Sequence, residues 1–331
     1  MLIDRSYRVT EFLLWTRRAI YLQLAISTVV VVLYQVVGLH WLAIPWGIVF
    51  LLGTTVALSA GFKNLQTYNR NQDAQLVWCA IWSGSRAFGL ACRDLIPDAW
   101  AGKRLVSRHL GWLATLRHEM RQPKPWEASE KPYNVEYRRH YDVPEHAQSL
   151  PDELARYLVA DEAALVLESH GKPYQVLALQ SADAARLLGE GVINASAFAE
   201  LQRATREFND LQGKTERIKN YPYPRQHAFI HAVFVRILCM LRPFGMVSEL
   251  ERLHASSGGW AVWLAIPLSA LIGWMYAALD QVGEATENPF EGGANDIPIS
   301  EICDALERDL HEAWGERASQ QREHSRSGFA L

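Results

Sequence analysis

Charge of either sign is absent from one long part of this chain. Between Ala19 and Phe62 there is no Lys, Arg, Asp or Glu, although the 331 residues carry 33 basic and 36 acidic side chains. A mean hydropathy of -0.08 averages that run against a polar remainder and so conceals it. The net charge of -3 offers no basic surface to a nucleic-acid partner, and none is expected. Cysteine is scarce as well. Cys79, Cys92, Cys239 and Cys303 make neither a CxxC pair nor a secreted disulfide framework, so they read as reduced or buried thiols. Alternating strand patterns are nearly absent, which excludes β-rich architectures. Catalytic signatures are missing too: His118-Glu119 lacks the second histidine of HExxH, and there is no GxSxG, Walker or dinucleotide motif. No enzyme activity, cofactor or metal is implied.

What is present is apolar length. A bilayer core takes about 20 residues per helix, so residues 19–62 can cross twice, turning at His40-Trp41 with Pro45 early in the second helix. The run lacks the cleavage pattern of a signal peptide and is read as retained. Arg5, Arg8, Arg17 and Arg18 before it, with Lys63 and Arg70 after it, put residues 1–18 and the segment after Phe62 in the cytoplasm. Pro222 and Pro224 introduce a third span, Gln226 to Val247. An outer loop follows, Glu249 to His254 with Gly258 and Gly259, and then a fourth span, Trp260 to Leu279, punctuated by Trp263, Trp274 and Tyr276. The third span holds two arginines. Arg236 is open between a pathway or pairing role and a bland one, whereas Arg242 is expected to snorkel toward a membrane end.

Residues 63–225 have the composition of a soluble helical region. Gln72 to Leu95 is expected to resume the second membrane helix after a break. Leu105, His109, Leu113, Leu116 and Met120 mark an amphipathic helix. Pro123 to Pro151 reads as a long connection, and Pro151 to Leu167, Tyr174 to Leu188 and Ala195 to Leu211 as shorter helices, the last capped by Asn194. Asn194-Ala195-Ser196 matches a glycosylation sequon, but on the cytoplasmic side it carries no meaning. Residues 280–318 return to the cytoplasm and include a helix with Ile299, Ile302, Leu306 and Leu310 on one face; the polar residues 319–331 are expected to be disordered. The carboxylates and turn glycines in Glu287 to Asp296 could make a weak oxygen-ligand calcium site, though without EF-hand spacing. The fold class is therefore an all-α membrane protein with four spanning helices and a helical cytoplasmic bundle.

Two rows on the second span organise the rest. Gly53, Ala57 and Gly61 recur every fourth residue, and Thr54, Leu58 and Phe62 form a second stripe one position on. Small residues let another helix approach closely, and the second row suits a surface facing something other than lipid. Spacing leaves pure helix packing open for both. GxxxAxxxGFKN at the end of span two, Tyr221-Pro222-Tyr223-Pro224 before span three, and NPFEGGANDIPI after span four then coincide with the two-plus-two arrangement of spans.

This combination resembles the bestrophin family in its bacterial branch, over nearly the whole chain. The resemblance implies a homopentameric channel in a bacterial inner membrane, with both termini cytoplasmic. The family's narrow neck falls on Thr54, Leu58 and Phe62, and its cytoplasmic aperture, counted back from YPYP, on Ser196. Family precedent favours chloride and similar anions; bacterial members also pass monovalent cations such as sodium or potassium. The acidic calcium clasp of animal relatives is reduced here to Glu287, Glu291 and Asp296, so calcium gating is not carried over. A scaffold or sensor that merely uses the spans as an anchor is the alternative from another class. A secondary transporter is disfavoured, because no internal repeat with paired broken helices is visible.

Overall fold

The computed structural model describes residues 8–252 and 260–316. Arg5, most of the loop between the third and fourth spans, and the tail 319–331 lie outside the described residues. Among those described, every regular element is a helix. Four are long and apolar enough to cross a membrane: α1 (Val9–Gln35), α2 (Trp46–Leu95), α10 (Arg225–Glu251) and α11 (Ala265–Thr286). The expected start of the first span moves back, because Arg17 and Arg18 stay on the helix and both reach Glu136, at 2.9 Å and 2.6 Å. Glu249 and Glu251, expected in a loop, form the last turn of α10.

The expected break after Phe62 does not occur. Helix α2 is a single rod of 50 residues, about 75 Å long. No Gly or Pro lies between Lys63 and Arg70 to interrupt it, and the polar run keeps the packed face. Lys63 is 2% exposed because its ammonium meets Asp280 of α11 at 2.6 Å. Thr67 follows one turn later, buried, with its hydroxyl donating to Asn64 O.

Around the far half of α2 pack α3 (Ala99–Arg121), α9 (Ala195–Asn220) and α12 (Ile299–Ala313), with α8 (Lys172–Gly189) laid against α3 and α9. Trp78, Phe88, Trp112, Phe208, Phe290 and Leu306 centre this second core. His109 sits among Phe88, Trp112 and Phe208, where burial pushes its pKa down to about 3. The Pro123 to Pro151 connection holds two short helices, α4 (Pro132–Tyr137) and α5 (Pro144–Ala147), each with proline in its first turn.

The expected helix Pro151 to Leu167 is split into α6 (Leu150–Leu154) and α7 (Ala160–Glu168). Ser107 of α3 takes the Tyr157 carbonyl at 2.8 Å, and Leu158 packs on Gly111, where a Cβ would come within 3.3 Å of it. Tertiary contacts with α3 thus hold the bend. Helix α9 runs on past Leu211 to Asn220, since Gln212, Thr215 and Ile218 continue its buried face. Its start is capped as expected: Asn194 Oδ1 accepts from Ala197 N at 2.8 Å.

Candidate functional site

Helix α2 is covered on one side only. At about 100° per residue, Val49, Val56, Ala60, Lys63, Thr67 and Ala74 fall in one narrow arc, and all are buried within the subunit. Leu51, Thr54, Leu58, Phe62, Leu65 and Asn69 fall on the opposite arc and are exposed. Leu58 is 64% and Phe62 61% exposed. The predicted stripe is therefore the face that one subunit leaves uncovered. Thr54 donates its hydroxyl proton to Leu51 O at 2.8 Å, so toward solvent it presents a methyl and oxygen lone pairs.

The small-residue row divides. Gly53 packs inside the subunit: its carbonyl accepts from Tyr276 at 3.1 Å, and a Cβ would sit 3.6 Å from that oxygen. Ala57 and Gly61 are exposed, and a Cβ on Gly61 would meet nothing within 4 Å. No helix of the same subunit uses those two positions.

Of the two arginines in the third span, Arg242 departs from expectation. Arg242 does not snorkel. It is 1% exposed, with its guanidinium bonded to Gln23 of α1 at 2.9 Å. Arg236 is exposed. It lies at the depth of Thr54, because neighbouring Val235 packs in one cluster with Val56 of α2.

Just past the stripe is a polar cluster that spacing alone did not single out. Ser59 Oγ lies 3.0 Å from His231 Nδ1, and His231 Nε2 lies 3.5 Å from the Asp280 carboxylate that holds Lys63. The signal for it was available: Lys63 immediately follows Phe62, and a lysine at a span end on a packed arc requires a counter-charge.

Ser196 is exposed in the first turn of α9. The other end of α9 is tied to α2 by Arg70, which donates to Tyr221 O at 2.7 Å. Ser196 thus lies about 36 Å along α9 from that tie, well separated from the neck stripe. Glu287 is buried, and Glu291 and Asp296 are each met by protein donors. Glu291 accepts from Ala128 N at 3.1 Å and Asn288 Nδ2 at 2.7 Å. Asp296 accepts from Gly293 N at 2.9 Å and stands 4.0 Å from Arg121. Burial, with the charges of Asp296 and Glu127, raises Glu291 to about 8, so it is neutral at pH 7. Among the described residues no group of three or more His, Cys, Asp or Glu is set to hold a metal ion.

Four membrane-length helices joined to a helical extramembrane layer define an all-α integral membrane protein. Within that class, the model of the Bacterial/Fungal Bestrophin protein family matches residues 13–312, and the chain belongs to that family. The voltage-dependent anion channel-forming protein YneE of Salmonella typhi is 24% identical over 284 residues, covering 86% of this chain and 81% of that protein. A voltage-dependent anion channel-forming protein of Mesorhizobium japonicum is 25% identical over 274 residues, covering 82% and 75%. In fold, the chain is similar to the crystal structure of a bacterial bestrophin homologue from Klebsiella pneumoniae, with a TM-score of 0.76 at 21% identity over 90% of this chain and 98% of that one.

Proposed function

We propose that copies of this chain assemble as a homopentamer around a passive ion pathway lined by Thr54, Leu58 and Phe62, and that the ions passed are chloride and similar monovalent anions. The observation that carries this reading is the uncovered arc of α2. One subunit buries the opposite arc and leaves Leu58 and Phe62 more than half exposed at membrane depth, and a single helix cannot enclose a path. A closed ring of copies supplies the missing walls, with Ala57 and Gly61 free to admit a neighbour's helix. Rings of Leu58 and Phe62 offer nothing to replace a hydration shell, so they close by dewetting and conduct by widening.

The anion preference rests on Arg236 and on the relatives named as anion channel-forming proteins. Arg236 brings a permanent positive charge to the depth of Thr54, where lipid is an expensive neighbour and water or a second subunit is not. A second reading, a path for sodium or potassium, is favoured by one observation: exposed Asp73 continues the same arc past Phe62. Ser196, small and polar, gives a wide second aperture. Calcium is not the opening signal on this reading, because Glu291 and Asp296 spend acceptors on backbone and side-chain donors. On this reading the chain resides in a bacterial inner membrane with both termini in the cytoplasm and acts as a conduit, not as an enzyme.

Purified protein in liposomes tests this. Chloride flux down its gradient, unchanged by a calcium chelator, is the expected result. Absence of flux for every ion and voltage would leave the membrane-anchored scaffold as the reading.

A further inference from the structure

Arg242 sits where α1, α10 and α11 meet, away from the uncovered arc of α2. Its guanidinium lies against Gly273, where any side chain would collide with both terminal nitrogens. Nη2 donates to Gln23 Oε1 at 2.9 Å, while Nε and Nη1 have no hydrogen-bond partner among the described residues. One turn along from Gln23 on α1, and one turn back from Gly273 on α11, stand Ser27 and Ser269. Both are 0% exposed, and neither hydroxyl has a partner among the described residues. Four polar groups on adjoining turns of α1, α10 and α11 are therefore left incomplete.

Charge balance at these turns is also incomplete. The carboxylates on the elements around them are engaged elsewhere. Glu249 is about 10 Å along α10 and pairs with Arg252 at 3.2 Å. Glu251, farther along, takes the Tyr34 hydroxyl. Asp280, about 10 Å along α11, is held by Lys63 and faced by His231. A guanidinium does not escape by losing its proton, and a buried charge without a counter-charge is strongly disfavoured. Two N–H groups and two hydroxyls around a cation make a donor set for a small anion.

We infer that each subunit holds a small monovalent anion, of the halide class, between the guanidinium of Arg242 and the hydroxyls of Ser27 and Ser269, as a resident site off the conduction axis. Such an ion balances the Arg242 charge and locks α1 and α11 onto α10. The inference stands apart from the pore reading: a scaffold that passed no ions would need the same counter-charge. One competing counter-charge is in contact range, since Cys239 lies one turn before Arg242 with its thiol donating to Gly273 O at 3.8 Å. A thiolate there would remove the need for an external ion.

The test uses the purified full-length protein in detergent, with sodium bromide or chloride replacing sodium gluconate at constant ionic strength. The melting temperature should rise saturably with halide. The response should vanish in Arg242→Gln and persist in Cys239→Ser. In the double variant Ser27→Ala with Ser269→Ala the midpoint should shift about tenfold to higher halide, the loss of charge-assisted hydrogen bonds. Crystals of the wild type grown in bromide should show an anomalous peak beside the Arg242 guanidinium in every subunit. A bromide map without that peak overturns the site whether or not Arg242→Gln folds, as does an unchanged halide response in Arg242→Gln. A halide response absent from the wild type and gained only in Cys239→Ser assigns the counter-charge to the thiolate and overturns it too. None of these readouts depends on flux, so failure of the conduction assay leaves this inference untouched.

Discussion

Leu58 is the side chain on which the narrowest claim rests. It lies at the centre of the uncovered arc, 64% exposed, and it carries no polar atom with which to hold water. In the proposed pentamer, trimming it to alanine would widen and hydrate the ring, so Leu58→Ala should raise open probability or conductance severalfold in planar bilayers; unchanged currents from both Leu58→Ala and Phe62→Ala would remove the neck from α2. A second residue-scale prediction concerns acid. Burial works against the charge of Glu153, yet the His118 hydrogen bond at 2.7 Å and the Arg117 guanidinium hold its pKa down from 4.5 to about 2. A depressed carboxylate contributes stability that is full above 4.5 and is lost as pH falls from there toward 2. Glu153→Gln should therefore cost about 3 kcal/mol at pH 7 and flatten the acid limb of the melting curve. A variant with the wild-type acid limb would show that Glu153 does not carry it.

At the scale of elements, the four spans were legible from their apolar length, and α3 and α12 because their apolar residues recur with helical period. Ile299, Ile302, Leu306 and Leu310 all proved buried on α12. The continuity of α2 was not legible, because the polar composition of Lys63 to Arg70 imitates a helix end; what keeps it helical is Asp280, a partner 217 residues away. The split between α6 and α7 was hidden for the same reason, its cause lying in Ser107 and Gly111 of α3. Arg242 misled because hydropathy counts a charge without knowing that Gly273 and Gln23 wait for it. The pair that carries α2 through the membrane boundary is directly testable. Lys63→Met leaves Asp280 with only His231 at 3.5 Å and should lower stability by about 3–5 kcal/mol in thermal melts, whereas Lys63→Met with Asp280→Leu should recover most of it, since replacing both ions avoids the stranded charge. A double variant no better than the single would mean the pair is not what holds the two helices.

For the whole molecule, the question is how a path with an uncharged neck distinguishes ions. In the proposed ring, Arg236 would set a positive belt at the depth of Thr54, and Asp73 a negative belt beyond Phe62 on the other side of the constriction. Each belt raises the local concentration of its counter-ion, and low-dielectric walls strengthen the effect, while salt screens it over about 8–10 Å. The ion that crosses is then decided by whichever belt stands nearer the barrier. Arg236 stands at the depth of Thr54, whereas Asp73 lies about 16 Å along α2 from Phe62, beyond one screening length in physiological salt. Reversal potentials in asymmetric sodium chloride should accordingly report anions in the wild type. Arg236→Gln should move the reversal potential toward that of sodium, and Asp73→Asn should leave it nearly unchanged at high salt while shifting it toward chloride at low salt. A wild-type reversal at the sodium potential, abolished by Asp73→Asn, would make the negative belt the selector and the cation reading correct.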